Sequence, residues 1–523
     1  MDKLLIHSPI LIIAIPLVVA FLTLLIGRAG GKARNVLVVA SLAFVTFLVI
    51  ILARDISING IHIYTLGATS PELTLPGGAM VPIRIILEVD AMSIFMGIIW
   101  AAVSLAAAIY SLSHMARETG QNRFYTLLLL MVTGGFGMMF TGDLFNLFVF
   151  LEIASISGAA LIAFRTRFAD SVEGGFKYIV ISAVAGLIFL FGVGLLYAQY
   201  NSLNIGFLAN AMQYSTLDII ALTLFLVSLT IKTGMVPLHM WYPDSYTVAP
   251  ANITAMLVIT SHACMYAVFR ICFTLYGITL DATMVGWIIV IIGLLTMFVG
   301  VTMAVFQTDV MRFMSYHAIS QMGYMWMGVG VGLAVLGDPH ALATYGRDAI
   351  SGGIFHILNH AMYKPLLFMT AGALFHRTAT RDLNKMGGLG HNMKFTLILY
   401  IIGTLSIAGI PPLNGFASKF LIYESVYQFN PVLAVVAMLV SIITLASFTK
   451  AFQSAFTGPQ LPEYKDVKEV PKPMLIGMGI LAAGIIFTSI FPGLIVERIV
   501  NPATDALINQ AAYVKGIMGG GMP

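Results

Sequence analysis

The sequence predicts an all-α polytopic membrane protein with about 14 transmembrane helices, organised as two inverted five-helix repeats in which helices 7 and 12 are broken. Its 523 residues are 59% hydrophobic and 10% charged, with a mean hydropathy of +0.94, whereas soluble domains are about 25% charged. The apolar runs are continuous rather than alternating, which predicts helices and excludes a β-barrel. Two of these runs are interrupted by proline at related positions.

Apolar segments follow one another along the whole chain, separated by charged residues, Gly or Pro. The first is interpreted as an uncleaved span rather than a signal peptide, because its MDK flank is weakly basic and no small-residue cleavage motif follows. The longest connection, 54–89, contains SPELTLPGGAMVP and predicts an exposed, partly extended loop. The predicted spans lie near 9–27, 35–53, 90–112, 124–140, 143–164, 176–198, 217–240, 252–277, 284–305, 311–335, 350–375, 395–427, 431–455 and 474–495.

Lys and Arg are distributed unequally between the two sets of loops. One set contains 17 of the 27 Lys and Arg, and the opposite set, which includes both termini, contains 7. Basic loops are retained in the cytoplasm, so we predict a multi-pass protein of the cell membrane with both termini outside. The basic set lies near 28–34, 113–123, 165–177, 306–316, 376–394 and 450–472.

Two predicted spans are interrupted next to a lysine. The seventh reads SLTIKTGMVPLHMWYPDS, where Pro237 follows Lys232, and the twelfth reads SIAGIPPLNGFASKF, where Pro411 and Pro412 precede Lys419. These spans are five apart, an odd number, so they run in opposite directions. The pattern predicts two inverted units with discontinuous helices. The predicted parts are 1–112 (helices 1–3), 113–280 (helices 4–8), 281–456 (helices 9–13) and 457–523 (helix 14 and tail).

Motifs for redox and nucleotide chemistry are absent from the sequence. Cys264 and Cys272 are eight residues apart on one predicted helix, about 12 Å along its axis, which is too far for a disulfide. There is no cysteine cluster for an iron–sulfur centre, no GxGxxG and no Walker A loop. We therefore expect no cofactor and no redox or hydrolytic site, which leaves open a non-catalytic role in an oxidoreductase.

Seven of the ionisable residues inside predicted spans form a candidate functional set. A charge at the bilayer centre costs about 2.5–3.5 kcal/mol on insertion scales, so such residues face the protein interior and usually pair. For any one of them, a contact that only fixes helix packing is the alternative. For the whole set that alternative is weak, because apolar replacements of buried ion pairs are often neutral or stabilising. The seven are Glu152, Lys232, His262, His356, His360, Lys364 and Lys419.

Three of the seven are spaced along one face of span 11. His356, His360 and Lys364 stand at positions i, i+4 and i+8, which share a helix face. A His-x-x-x-His pair can bind zinc, but a third ligand and an HExxH glutamate are missing, so we predict no metal site. A track of groups that exchange protons fits the spacing better. Residues that either extend this track or only pack are Tyr316, His317, Ser320 and Gln321.

Several stretches resemble the antiporter-like subunits shared by Mrp-type sodium/proton antiporters, respiratory complex I and membrane-bound hydrogenases. The resemblance covers roughly residues 85 to 450, and the segments VPLHMWYPD and HILNHAMYKPLLF are highly specific. Within this family the chain is most similar to the D-type component of Mrp complexes and its counterparts. The other matching stretches are LFVFLEIASIS, IKTGMVPLHMWYPDSYTVAPANITAML, SHACMYAVFR, DVMRFMSYHAISQMGYM, IFHILNHAMYKPLLFMTAGAL and IPPLNGFASKF.

The resemblance implies a role for individual residues. Glu152 matches the span-5 glutamate and Lys232 the span-7 lysine with which it pairs. His262 falls where the family has a bridging lysine or histidine, and Lys419 matches the span-12 residue that leads to the far side. Met311 replaces a basic residue often seen near the start of span 10.

These observations predict a proton-translocating, or sodium/proton-translocating, subunit of a multi-subunit complex. Opening and closing of the Glu152–Lys232 pair would make Lys232 hold or release a proton, which would pass through His262 and span 11 to Lys419. One alternative is an ion-pumping subunit of a redox complex with peripheral redox subunits. Another is a stand-alone solute transporter. The expected partners are other integral membrane subunits and the lipid bilayer, with no nucleic acid.

Overall fold

The computed structural model describes residues 2–67, 73–74, 80–81, 85–277 and 281–518. The predicted loop 54–89 lies partly outside the described residues, and its described parts correct the prediction of an exposed loop. Helix α3 continues to Asn59, and strand β4 is buried because it pairs with β1 and bridges to Thr141. The strands are β1 (His62–Thr65), β2 (Leu73–Thr74), β3 (Met80–Val81) and β4 (Ile86–Val89), paired as β1–β4 and β2–β3, both antiparallel.

Helices form the rest of the described chain. They begin with α1 (Asp2–Ile6), α2 (Ser8–Ala29), α3 (Gly31–Asn59) and α4 (Ala91–His114). The predicted first unit contains α5 (Gln121–Phe140), α6 (Leu144–Ile162), α7 (Ala169–Tyr200), α8 (Ile205–Ala211), α9 (Thr216–Thr233), α10 (Trp241–Val248) and α11 (Ala251–Phe269), which continues as a π-helical segment, Arg270–Tyr276.

The predicted second unit and the C-terminal region follow. The helices are α12 (Ala282–Val305), α13 (Val310–Ala334), α14 (Pro339–Ala341), α15 (Arg347–Thr378), α16 (Lys394–Ala408), α17 (Asn414–Phe429), α18 (Pro431–Phe456), α19 (Lys472–Ile490), α20 (Pro492–Ile495), α21 (Asn501–Ile508) and α22 (Gln510–Met518). Shorter turns are π-helical at Leu342–Gly346 and Val496–Val500, and 3-10 at Leu383–Lys385, Leu389–His391 and Pro462–Tyr464.

Every predicted span coincides with a helix or with a broken pair of helices. Eleven of the described helices are long and apolar enough to cross a membrane. The polar α13 and α15 are as long, while α16 and α17 form one interrupted segment. The all-α membrane fold is therefore present, and the count of about 14 crossings stays a prediction.

Burial increases from the rim of the bundle to its centre. All of the apolar window of α11 is buried, against 33% for α2 and 39% for α7 and α18. Large apolar side chains such as Phe21, Phe176 and Ile442 point outward, as expected for surfaces that face lipid. The central helices α11, α13 and α15 carry many of the buried polar residues, so these lie away from lipid.

Small residues bring α12 against α13. Gly286, Gly293 and Gly300 recur every seven residues on α12, and a Cβ atom at any of them would meet the backbone of α13. Such close approach is how membrane helices associate, because packing replaces the hydrophobic drive available in water. Ser320 uses it to donate from Oγ to the Met297 carbonyl at 2.9 Å.

The two helix breaks have the same local geometry. Gly234 ends α9 and Gly409 ends α16, both with left-handed backbone (φ 72° and 75°). The NH of each glycine bonds the carbonyl three residues back, and the next NH bonds the carbonyl five residues back, which is a Schellman cap. Pro237 and Pro412 each stand three residues after the glycine, in a cis bond to the preceding residue. The breaks predicted from the prolines are confirmed.

Candidate functional site: a buried chain of ionisable groups

The Glu152–Lys232 pair joins α6 to the last turn of α9. Lys232 Nζ donates to Glu152 Oε1 at 2.9 Å and to Ser155 Oγ at 2.8 Å. The lysine side chain is 3% exposed and the glutamate side chain 20%, so one partner is sealed and the other is partly accessible. Gly186 on α7 leaves room for the carboxylate, because a Cβ atom there would clash with it. The pair predicted from the sequence is therefore formed.

His262 on α11 and His360 on α15 face each other at the centre of the bundle. Nε2 of His262 lies 2.8 Å from Nδ1 of His360, and both residues are fully buried. One of these nitrogens carries the shared hydrogen. Within the described chain, His262 Nδ1 and His360 Nε2 have no hydrogen-bond partner. A neutral pair can take up a proton at one free nitrogen and release another at the other as the shared hydrogen shifts.

His356 lies one turn away on α15 in a second polar group. Its Nδ1 is 3.0 Å from Ser418 Oγ, and its Nε2 is 3.3 Å from Gln321 Oε1 and 3.2 Å from the Tyr363 hydroxyl. The Tyr363 ring stands 5.4 Å, centroid to centroid, from that of His360. Tyr363 therefore lies between the two histidines of α15.

Lys364 is the least satisfied of the predicted residues. It is 0% exposed, and its Nζ has no hydrogen-bond partner among the residues that the structure describes. Its nearest neighbours of note are the rings of Phe368 and Phe448, whose centroids are 5.4 and 5.7 Å from Nζ. Aromatic faces attract an ammonium group but do not replace its hydrogen bonds.

Lys419 is buried one turn into α17. Its Nζ donates to the Ile407 carbonyl at 2.8 Å and to Ser441 Oγ at 2.9 Å, and it lies 5.0 Å from the centroid of Tyr324. No carboxylate within the described residues pairs with it. Tyr324 also stands 5.6 Å, ring to ring, from His356, which connects Lys419 with the polar group on α15.

Aligning the two breaks on Gly234 and Gly409 refines the sequence interpretation of the lysines. Lys232 stands two residues before Gly234, and its counterpart before Gly409 is Ile407. Lys419 stands ten residues after Gly409, and its counterpart after Gly234 is Asp244. The two lysines are thus not equivalent in sequence. However, Lys419 bonds the carbonyl of Ile407, so each unit has an ammonium group at the end of its first half-helix.

Asp244 is a site residue that the sequence interpretation missed, although it stands in the quoted WYPDS stretch. Its carboxylate pairs with Lys177 of α7 at 2.8 Å and with Arg312 of α13 at 2.9 Å. It lines a cleft of about 250 Å³, which continues into one of about 440 Å³ beside His114. Both clefts open between the two predicted units. The register match with Lys419 is the signal that could have identified it.

Span 10 contributes less to the track than the sequence allowed. Gln321 bonds His356, whereas His317 Nε2 contacts Ser447 Oγ at 2.8 Å and Tyr316 faces the Arg312 guanidinium at 5.9 Å. Met311 is buried without disturbing the start of α13, where the Asp309 carboxylate accepts bonds from the Met311 and Arg312 amides.

An aspartate caps the second spanning helix of each predicted unit. Asp143 caps α6 and Asp309 caps α13, at corresponding positions in the two units. Burial raises the pKa of Asp143 to about 6. Burial also raises the pKa of Asp309, against the opposing charge of Arg381, whose Nε lies 3.0 Å away. The charge at the N-terminus of α6 therefore responds to mildly acidic pH.

Comparison with known proteins matches the region that contains this chain of groups. Residues 141–444 match the family described as NADH:quinone oxidoreductase/Mrp antiporter, TM. The chain belongs to that family. Residues 78–125 also match the family described as NADH-ubiquinone oxidoreductase (complex I), chain 5 N-terminus. All seven predicted site residues lie inside the first match.

Individual relatives agree with the assignment to the NADH:quinone oxidoreductase/Mrp antiporter family. The D-type component of the Na(+)/H(+) antiporter of Alkalihalophilus pseudofirmus is 35% identical over 460 residues, covering 86% of this chain and 87% of the relative. The N-type component of NADH-quinone oxidoreductase of Desulforudis audaxviator is 31% identical over 520 residues, covering 95% and 98%.

Solved structures confirm the fold class. A chain of the Mrp complex from Dietzia sp. superposes with a TM-score of 0.87 at 23% identity, covering 99% of this chain and 100% of that chain. A chain of the archaeal membrane-bound sulfane sulfur reductase gives 0.81 at 28% identity, covering 93% and 77%. The predicted family and the multi-pass membrane character are confirmed, as is the general class, a proton- or cation-translocating membrane subunit.

Proposed function

We propose that this chain moves protons across the membrane through the Glu152–Lys232 pair and the buried groups that follow it, as one subunit of a larger membrane complex. The observation that carries the proposal is that the predicted residues lie in two series of buried contacts, Glu152–Lys232 and His262 to Lys419, separated by one gap between Lys232 and His262. Buried polar groups of this number are costly, and a packing role does not explain their arrangement in series.

The proposed route begins at the clefts beside Asp244 and ends at α17. Lys232 and His262 share no hydrogen-bond partner among the described residues, so water has to bridge them. From the His262–His360 pair, the route continues past Tyr363 to His356. Lys364 stands one turn beyond His360 on α15 and exchanges protons with that pair. Tyr324 and Ser418 then lead to Lys419. The two helix breaks supply irregular backbone in which water can be held.

Separation of Glu152 from Lys232 is the step that changes the proton affinity of Lys232. In the closed pair the ammonium is matched by a carboxylate, and both groups are held charged. When the distance between them increases, the buried lysine loses its counter-ion and its charged form becomes costly. The lysine then passes its proton on, and re-pairing draws in the next one.

The orientation that we propose follows the distribution of Lys and Arg. The clefts open toward loops 165–177 and 376–394, which belong to the basic set, so this side is cytoplasmic. Both termini are then outside, and α17 leads to the outer face. The four parts of the chain predicted above, 1–112, 113–280, 281–456 and 457–523, are consistent with the repeated Schellman caps.

Two kinds of complex remain as candidates, each with its own support. A sodium/proton antiporter complex is supported by the relative from A. pseudofirmus, and other integral membrane subunits are then its partners. A redox-driven complex is supported by the match to the D. audaxviator relative over nearly the whole chain and by the sulfane sulfur reductase. Purification of the native complex and identification of its subunits would distinguish them, because redox subunits would copurify only in the second case.

Lys419 provides the test of the proposed route. We expect Lys419→Ala to assemble normally and to lose proton movement in sealed vesicles, measured with a pH-sensitive dye, because Lys419 contacts both Tyr324 and Ser441. The matched control is Lys385→Ala, a surface lysine on the predicted cytoplasmic side. Proton movement at the parental rate in an intact Lys419→Ala complex would contradict the route.

A further inference from the structure

A separate group of buried ionisable residues lies at the opposite end of the first unit from the clefts. Glu88 is on β4 and Asp90 caps α4, while Arg270 begins the π-helical segment after α11. Tyr513 covers them from α22. Each of the four is at most 3% exposed. This site is on the side predicted to be outside and is not part of the route described above.

Arg270 forms an ion pair with Asp90. Its Nη2 donates to Asp90 Oδ1 and, at 3.1 Å, to Ser93 Oγ, and its Nε donates to the Tyr266 hydroxyl at 2.9 Å. The guanidinium also lies 4.9 Å from the centroid of the Tyr513 ring. The positive charge of Arg270 is therefore already balanced by the Asp90 carboxylate, without Glu88.

Glu88 is left without a comparable partner. Neither of its carboxyl oxygens has a hydrogen-bond partner within the described residues, although the Tyr513 phenol lies beside the group. A buried carboxylate that is not paired costs several kcal/mol, and the neutral acid avoids that cost. Burial raises the pKa of Glu88 well above its usual value, and the charge of Asp90 adds to this while Arg270 opposes it.

A face of α11 connects this site with the centre of the bundle. His262, Tyr266 and Arg270 stand at i, i+4 and i+8, which places Arg270 about 12 Å along the axis from His262. Tyr266 stands between them in sequence, and its hydroxyl, which accepts from Arg270 Nε, also contacts Ser93 Oγ at 2.9 Å and donates to the Met139 carbonyl at 2.9 Å. Nδ1 of His262, which has no partner within the described residues, is available to begin a path along this face.

We propose that Glu88 is a proton-binding carboxyl at the outer end of the first unit, which exchanges its proton with the outer compartment and, along α11, with His262. When Glu88 releases a proton to water, the carboxylate that forms lies near Arg270; a proton from His262 Nδ1 restores the acid. The role in exchange rests on the function proposed above, whereas the protonated state of Glu88 does not.

Infrared spectroscopy of the purified complex tests the protonated state. We expect the carbonyl band of a neutral carboxylic acid at neutral pH, lost in Glu88→Gln and moved in Tyr513→Phe, which removes only the hydroxyl against it. The matched control is Glu469→Gln, because Glu469 accepts bonds from the Phe395 and Thr396 amides. An unchanged spectrum in Glu88→Gln would overturn the proposal, as would an ionised carboxylate that responds to added Na⁺.

Transport measured at varied outer pH tests the role in exchange. We expect Glu88→Gln to move the dependence of the translocation rate on outer pH and Glu88→Asp to restore part of it. A structural role would lower the rate by the same factor at every outer pH, which would overturn the proposal. If Glu88→Gln matches the parent at every pH while Glu152→Gln is inactive, the Glu88 proposal fails and the proposed function stands.

Discussion

At the scale of single residues, the contact between Glu152 and Lys232 gives the most direct prediction. Glu152→Gln retains the shape of the side chain and an oxygen that can accept from Lys232, but it removes the charge, which leaves buried Lys232 without its counter-ion. Breaking a buried pair in this way costs about 3–5 kcal/mol. We expect proton movement in sealed vesicles to fall more than about 100-fold, while Glu152→Asp retains part of it.

The double variant Glu152→Gln, Lys232→Met shows whether the two residues act as one unit. If they do, the double variant is no slower than either single variant, because the second change removes an interaction already lost. Asp505→Asn is the control, since Asp505 pairs with Arg347 at the surface, away from the proposed route. Additive losses in the double variant would argue for independent roles.

Substitution of Lys364 by methionine distinguishes a structural role of this lysine from a functional one. Its Nζ has no hydrogen-bond partner in the described part of the chain, so Lys364→Met removes an unsatisfied buried polar group and fills similar volume. We expect the midpoint of thermal unfolding of the purified complex to rise while proton movement falls, the trade-off typical of functional sites.

The same experiment on Lys385→Met, at the surface, is the control for Lys364. It should change neither quantity. If Lys364→Met raises stability and leaves proton movement intact, the lysine is no part of the route. If it lowers stability, the contacts with Phe368 and Phe448 hold the helices together and the structural interpretation is correct.

The sequence identified the buried charges and the Glu152–Lys232 pair, but not the uncharged partners. Lys232 and Lys419 are recognisable because charge in an apolar run is costly wherever it occurs. Ser155, Ser441 and the Ile407 carbonyl are ordinary in sequence, and only the approach of distant helices makes them ligands. Tyr363 was missed for the same reason.

At the scale of helices, Asn414 connects the break between α16 and α17 to α15 and α19 through hydrogen bonds. Its side chain donates to Asn359 Oδ1 at 3.0 Å and Thr488 Oγ1 at 2.9 Å, and its amide donates to Ser489 Oγ at 2.8 Å. Asn414→Ala leaves Asn359 without one partner. A buried polar group left unpaired costs about 1–3 kcal/mol, so we expect a lower midpoint of thermal unfolding and a reduced rate of proton movement.

Asn384→Ala provides the comparison for Asn414, because Asn384 is exposed in a turn on the predicted cytoplasmic side. It should leave both measurements unchanged. Parental stability in Asn414→Ala would mean that the break is held by the cap at Gly409 alone.

The prolines in the sequence indicated where the two helices break, because proline lacks an amide hydrogen and obstructs the preceding turn. The prolines did not indicate that the two breaks align on Gly234 and Gly409. The residues around the two glycines differ, and Lys232 precedes its glycine whereas Lys419 follows its own. The alignment became visible through backbone hydrogen bonds. It also identified Asp244, which composition alone presents as a surface charge.

At the scale of the whole molecule, the helical membrane fold followed from composition, whereas the burial gradient did not. Hydropathy is 2.2 for α4, whose apolar window is 78% buried, and 2.0 for α19, whose window is 39% buried, so it does not rank helices by depth. Polar content is the better guide, because α13 and α15 hold polar and ionisable residues and lie at the centre. The buried strand β4 and helix α22 were missed, since short elements lack a clear period.

The last prediction concerns orientation, on which the assignment of every cleft and outlet depends. Single cysteines at Lys385 and Lys515, both at accessible positions, sample the loop 376–394 and the C-terminal helix. The native Cys264 and Cys272 are buried and can be replaced by alanine to remove background. Because 17 Lys and Arg lie on the side of the loop and 7 on the other, a membrane-impermeant maleimide should label Lys515→Cys in intact cells and Lys385→Cys only after the cells are opened. Labelling of Lys385→Cys alone from outside would invert the molecule, so that the clefts beside Asp244 would face outward and Glu88 the cytoplasm.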